Sequence, residues 1–309
     1  MTPARPPACP TSYSFTGNPT MAMHPLPLRI DPAPDPFDRE LEPLLSEPFA
    51  RAWASSDTGP SAASVALRGR LLERLSTSRA ASSAMVTTRL RRLAALEPAP
   101  GVLERTLYLA PTDRALRPGE PVRVRLIELQ AGAHWPGPAA EHHREYLVLR
   151  GSVRLGAKGA IGEECLRLRD YHVAPAGLAS RPLHAEEAAL LFLRESVLPA
   201  APAGAAFTVR DDDASWPDYG PGIRRRVLWQ HDGQAAMLYC AQPGASVPLH
   251  THGHDEECLM VQGELFLDDV LLQEGDYQLA PAGTRHRITE TDTGIVIYAH
   301  GDLDLKFVA

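Results

Sequence analysis

The 309-residue sequence predicts a mainly β chain in which one β-domain occurs twice, behind a short α-helical segment and a proline-rich tail. Three observations carry this. From Pro100 onward apolar residues recur with period two, the mark of strands with one buried face. The same stretch repeats itself: Pro100-Gly101-Val102-Leu103 is echoed by Pro221-Gly222-Ile223-Arg224, and Asp170-Tyr171-His172-Val173-Ala174-Pro175-Ala176-Gly177 by Asp276-Tyr277-Gln278-Leu279-Ala280-Pro281-Ala282-Gly283. Residues 1–36, dense in proline and without apolar periodicity, lack what a packed core needs. The expected organisation is a disordered tail over 1–36, a helical segment over 37–98, a first β-domain over 99–198 and a second over 207–309.

Within the helical segment, Phe37, Leu41, Leu44, Leu45, Phe49 and Trp53 recur at three- and four-residue steps, and Pro43 and Pro48 divide them into two short helices. After a Ser-Asp-Thr-Gly-Pro linker, residues 62–96 read as one long helix or a helical pair. Val65, Leu71, Leu72, Leu75, Met85, Val86, Leu90, Leu93 and Leu96 form its stripe, and Arg68, Arg70, Arg74, Arg79, Arg89, Arg91 and Arg92 make the other faces basic. Such a face is ordinarily only solvated; the sharper reading is a docking surface for an acidic protein partner.

Composition excludes several classes. A net charge of −7 argues against a protein that coats nucleic acid. No run of apolar residues is long enough to span a membrane, and the N-terminus lacks a basic-then-apolar leader, so a cytoplasmic location is expected. Cys9, Cys165, Cys240 and Cys258 are scattered without a Cys-x-x-Cys pair, which fits neither a disulfide framework nor a cysteine zinc module.

The chemistry concentrates between Gly244 and His286. His250 and His252 lie two apart, so on a strand both point to one face. Glu256 follows a short turn, and His286 follows the Pro281-x-Gly283 turn that brings it back towards the others. Three imidazoles and one carboxylate suit a single divalent transition metal that keeps positions open: Zn, Fe, Mn, Ni or Co. Alternation puts Cys258 and Met260 on the face of Glu256 as an apolar floor, and Cys258 reads as a packed core thiol before a redox-sensitive one. One of Tyr277 and Gln278 must point inward. His254 lies in the turn between ligands, exposed or supporting them.

Gly244-x5-His250-x-His252-x3-Glu256-x6-Gly263 and Gly275-x5-Pro281-x-Gly283-x2-His286 resemble in full spacing the two motifs of the cupin superfamily, except that the asparagine usually closing the second is Glu290. The flanking words His-Thr-His-Gly-His-Asp-Glu-Glu and Gly-Asp-Tyr-Gln-Leu-Ala-Pro-Ala-Gly-Thr-Arg-His are most similar to the ChrR-type cupins. The resemblance implies a bicupin, two double-stranded β-helix (jelly-roll) barrels in tandem, with a metal on His250, His252, Glu256 and His286. It further implies a regulatory, anti-sigma-like protein that senses oxidative stress or a small molecule and contacts a sigma factor or other regulator through the helical segment. The family's zinc-binding His-x3-Cys-x2-Cys has no counterpart before residue 100, so a zinc-dependent anti-sigma module is not expected. The alternatives are a mononuclear metal-dependent dioxygenase acting on a small molecule, and a module that binds a small ligand without turnover.

The repeat allows each ligand to be checked in the first copy. His250 corresponds to Pro138, His252 to Ala140, Glu256 to Arg144 and His286 to Ser180. A guanidinium at the carboxylate position disfavours a cation there. His134, Glu141, His142 and His143 lie nearby, yet no partner from the second half-motif joins them. The first barrel is expected to hold no metal.

Overall fold

The runs rich in valine, leucine and tyrosine beyond Ala95 fold as antiparallel strands, and the two copies of the repeat fold alike. The computed structural model describes residues 65–70, 72–73, 84–157, 159–198, 204–213 and 215–308. The chain divides into two compact units, Met1–Ser76 and Thr77–Ala309. In the first, residues 65–70 and 72–73 are helical. The tail over 1–36 and the helices expected over 37–54 lie outside the described residues.

In the second unit each copy of the repeat is a jelly-roll barrel built on a seven-stranded sheet. In the first copy the strand order is Phe207–Val209, Tyr171–Ala174, His143–Arg150, Ala189–Ser196, Pro121–Leu129, Val102–Leu109, Leu96–Ala99. In the second it is Val86–Thr88, Tyr277–Ala280, Glu256–Gly263, Ile295–Asp302, Gln234–Ala241, Ile223–His231, Asp218–Gly220. A four-stranded sheet closes each barrel, and the second adds a three-stranded one from His250–Thr251, Arg285–His286 and Lys306–Phe307. One face of each large sheet lines its own barrel. Tyr146, Val148, Leu191 and Leu193 belong to the first core, and Cys258, Met260, Ile297 and Ala299 to the second.

Two expectations are corrected. The segment from Val86 is not helical: Val86–Thr88 is a strand, Leu90–Arg92 a single 3-10 turn and Leu96–Ala99 a second strand. Apolar spacing in this stretch matches a helix by coincidence, while Val86-Thr87-Thr88 is β-branched throughout and stiff at χ1. The sheet edge at Tyr277–Ala280 offers unpaired backbone groups, and Val86–Thr88 takes them in the register Val86↔Leu279 and Thr88↔Tyr277. Arg89 anchors the join through Asp276 at 2.7 Å, and the Leu90 N–H donates to the same carboxylate at 3.0 Å. The second correction concerns Phe207–Val209, assigned to the second domain. It pairs with Tyr171–Ala174 in the first barrel's sheet. Val86–Thr88 and Phe207–Val209 are equivalent in the repeat, so the strand leading into each barrel completes the other.

The outer faces of the two large sheets pack on each other. Phe192 meets its repeat equivalent Tyr298 with ring centroids 4.8 Å apart. Beside them Arg194, fully buried, reaches Glu145 of its own barrel at 2.7 Å and Glu257 of the other at 2.7 and 2.8 Å. Glu145 and Glu257 are equivalents, as are Tyr171 and Tyr277, which donate to them; Tyr277 reaches Glu257 at 2.8 Å. The symmetry breaks at Arg194, whose counterpart is His300. Burial alone would raise both carboxyls; Arg194 holds Glu145 down at about 2, whereas at Glu257 burial prevails and raises it.

Removing one partner from a buried ion cluster leaves uncompensated charge, and a cost of about 3–5 kcal/mol is typical. Arg194→Ala should therefore lower stability by that order in urea unfolding. A loss no larger than that of an exposed arginine would contradict the assigned role.

Candidate metal centre

Local pairing brings the four predicted residues to one place. His250 stands opposite His286 across His250–Thr251 and Arg285–His286. The Gly283 N–H donates to the His252 carbonyl at 2.8 Å, fastening the Pro-x-Gly turn beneath the histidines. Gly283 has φ +84°, the left-handed region that glycine takes without penalty. Glu256 begins the long strand opposite Ala280. Ligand atoms of His250, His252 and Glu256 lie within 4.8 Å of one another. Glu256 Oε2 is 3.5 Å from His252 Nε2 and 3.5 Å from His286 Nε2. The three imidazole rings have centroids 5.1–5.6 Å apart.

The donor atoms are prepared for a cation. His250 Nδ1 lies 2.8 Å from the Pro248 carbonyl, which can only accept, so the proton sits there and Nε2 keeps its lone pair. His286 Nδ1 faces Asp268 at 3.4 Å, leaving Nε2 towards Glu256. That nitrogen is buried without a hydrogen-bond partner, and so are both ring nitrogens of His252. Orphaned buried nitrogens are costly, and a metal would satisfy them. Donor atoms that share one transition metal at the usual bond lengths stand roughly 3–3.5 Å apart, close to the 3.5 Å spacing of Glu256 from the two imidazoles.

Electrostatics point the same way. Burial opposes ionisation of Glu256, yet the surrounding imidazoles hold it down at about 2. Burial lowers His252. At His286 burial also acts to lower, but Asp268 and Glu256 outweigh it and raise the imidazole to about 9. The imidazolium of His286 fills, in part, the electrostatic place of a cation.

An apolar pocket of about 70 Å³ adjoins the centre. His250 and Glu256 line it with Cys258, Leu265, Leu267, Ile295 and Ile297, and Tyr219, Tyr239, Thr289 and Thr291 supply hydroxyls. Cys258 and Met260 form the expected floor; burial keeps the Cys258 thiol protonated, so it is a packed core residue. Gln278, opposite Cys258, is the inward one of the tyrosine–glutamine pair, and Tyr277 faces the other barrel. His254 turns away to Asp302. Glu290 is exposed and its backbone pairs with Ser246 and Phe266.

Asp268 was not legible beforehand. It sits at φ +55° in the tight turn between Leu265–Leu267 and Val270–Leu272, and accepts from the Arg287 N–H at 2.7 Å as well as holding His286. Its only trace in the sequence is the Asp268-Asp269 pair between two apolar strands.

Fold and site together define a tandem cupin with a candidate mononuclear metal centre in its second barrel. Residues 205–304 match the model of the ChrR cupin-like domain. No curated protein matches the sequence. Among solved structures, a Lactobacillus farciminis oxalate decarboxylase in complex with formate is similar at 13% identity and TM-score 0.53, covering 72% of this chain and 87% of that one. A variant of the Bacillus subtilis oxalate decarboxylase is similar at 16% identity and TM-score 0.51, covering 72% and 78%. A Nostoc punctiforme protein classed provisionally as a dioxygenase is similar at 15% identity and TM-score 0.51, covering 72% and 81%. At these identities the likeness is one of fold.

A metal must displace the proton from His286 Nε2. Affinity for Zn²⁺, measured by chelator competition, should rise with pH up to about 9 and flatten above. Asp268→Asn should flatten that profile below pH 9 and weaken binding about 10–100-fold. For the metal-free protein the sign is opposite. His286 is raised above its unfolded value, so its stabilisation is complete below about pH 6.5 and is lost as pH rises through about 9. Thermal melts of chelated protein across that window check this.

Proposed function

We propose that this chain is a regulatory bicupin that holds one divalent transition metal on His250, His252, Glu256 and His286 and binds a small molecule beside it. The observation that carries the metal is the convergence of His250, His252, Glu256 and His286, with both ring nitrogens of His252 and Nε2 of His286 buried and without a hydrogen-bond partner. When bound, the metal supplies Lewis acidity towards an oxygen donor of the ligand. The chain's own residues do the rest. Asp268 and the Pro248 carbonyl orient two imidazoles, and Leu265, Ile295 and Ile297 select an apolar body for the ligand and exclude water. The Tyr239 phenol, kept protonated by burial, lines the same pocket and donates to Met237 Sδ at 3.4 Å.

The regulatory reading rests on the ChrR cupin-like match. A sigma factor or another regulator, contacted through the segment before residue 99, is the partner it implies. A second reading, turnover of a small molecule by a dioxygenase- or decarboxylase-type reaction, draws on the names of the solved structures with this fold. Oxygen consumption by the Fe(II)-loaded protein with candidate phenols, thiols or diketones would favour it over sensing, and recovery of a sigma factor with the full-length chain would favour sensing.

Elemental analysis should find one metal per chain. His252→Ala should abolish binding, and His142→Ala should leave it unchanged. Two metals per chain would show that the first barrel also binds one.

A further inference from the structure

The first barrel contains a fully buried arginine that no carboxylate meets. Arg144 stands where Glu256 stands in the second copy, and it is 0% exposed. Its Nη1 donates to Ser180 Oγ, and that hydroxyl donates to the Pro138 carbonyl. Nη2 donates to the carbonyls of Pro175, at 3.1 Å, and Leu178. Ser180 and Pro138 are the counterparts of His286 and His250, so the guanidinium spans the vacated ligand positions. All these partners are neutral. Among the described residues Arg144 makes no ion pair, and its Nε is buried without a hydrogen-bond partner. Arginine keeps its charge inside proteins, and a buried charge without a counter-charge is strongly unfavourable.

A cavity adjoins this charge, lined by Arg144, Tyr146, His172, Leu178 and Arg181 among others. Pairing of Arg144 with Ala174 and Tyr146 with His172 puts these side chains together on the barrel's inner face. Tyr146 is 3% exposed, and its hydroxyl has no hydrogen-bond partner among the described residues. Two acids lie in this part of the barrel: Glu195, opposite Arg144 on the neighbouring strand, is taken by Arg123 at 2.8 Å and Arg125 at 2.6 Å, and Glu164, 3.9 Å from His172, is engaged by Arg210 at 2.5 Å and Arg181 at 3.7 Å. His172 Nδ1 is taken by Thr208 at 2.8 Å. Both acids are thus already paired with other arginines, Arg144 is left without one, and two donors, Arg144 Nε and the Tyr146 hydroxyl, are unused. The cavity is small, about 10 Å³, room for a single species near the size of a water and far below the range of pockets for drug-sized ligands.

We propose that the first barrel binds a small monatomic anion, of halide size, on Arg144 and Tyr146. The two barrels then use opposite charges at equivalent positions. The second presents a carboxylate and imidazoles to a cation, and the first presents a fixed guanidinium to an anion.

The test uses the full chain, stripped of metal so that no anion can bind through one, with gluconate as background anion at constant ionic strength. Chloride and bromide should each raise the melting temperature saturably, by about 5 °C or more at a hundredfold excess over the dissociation constant. Anomalous diffraction from bromide-soaked crystals should place the ion within hydrogen-bond reach of Arg144 and Tyr146. Arg144→Met should abolish the anion-dependent shift while leaving metal stoichiometry in the second barrel intact. Tyr146→Phe should weaken the anion at least about fivefold. A shift that survives Arg144→Met, or bromide found only elsewhere, overturns the proposal. Should Arg144→Met fail to fold, the bromide position and Tyr146→Phe decide it alone.

Discussion

Arg194 sits where the two large sheets meet, and its single guanidinium answers a carboxylate from each. Two glutamates on the outer faces of packed sheets would repel each other and forbid that packing unless a cation lay between them. The repeat explains how they came to be there, since Glu145 and Glu257 occupy one position in two copies, each capped by an equivalent tyrosine. What the repeat could not supply is the cation, because a symmetric pair would bring two or none. One copy has arginine and the other His300, whose ring burial keeps neutral. The asymmetric pair makes the barrels one body, and the candidate metal centre hangs from it: Glu257, held by Arg194, is the neighbour of Glu256 on the same strand.

The same divergence between copies explains the division of chemistry. In the second barrel a carboxylate and three imidazoles leave nitrogens with nothing to bind, an arrangement that a cation completes. In the first, replacement of those four positions inverts the local charge. The barrel survives the exchange because Arg144 is solvated by Ser180 and backbone carbonyls of the very turns that formerly carried ligands. The fold is thus indifferent to the sign of charge in its mouth, provided the turn backbone remains in place.

Much of this was legible in the sequence. Period-two alternation and the internal repeat define two like barrels, because both follow from local chemistry and from counting. The four candidate ligands were legible because strand geometry converts spacing directly into a shared face. Asp268 was not, since its contact with His286 joins residues from two hairpins and an Asp-Asp pair between two apolar strands reads as an ordinary turn. Nor was the strand at Val86–Thr88. There the apolar spacing imitates a helix, and the deciding factor is a sheet edge nearly two hundred residues away in sequence. Glu257 left a fainter signal: an acid on the apolar side of a strand, matched by Glu145 in the other copy. A charge retained on both copies of a buried face implies a partner, and only the folded arrangement identifies it as Arg194.

The exchanged strands carry a further meaning. Val86–Thr88 precedes the first barrel and closes the second, and Phe207–Val209 precedes the second and closes the first. This is the geometry of two single-barrel subunits that trade their leading strands, here within one polypeptide. The chain is in effect a dimer whose protomers are covalently tied and free to diverge. Such a tie lets one half give up its metal ligands without losing its partner, a freedom that identical subunits encoded by one gene do not have.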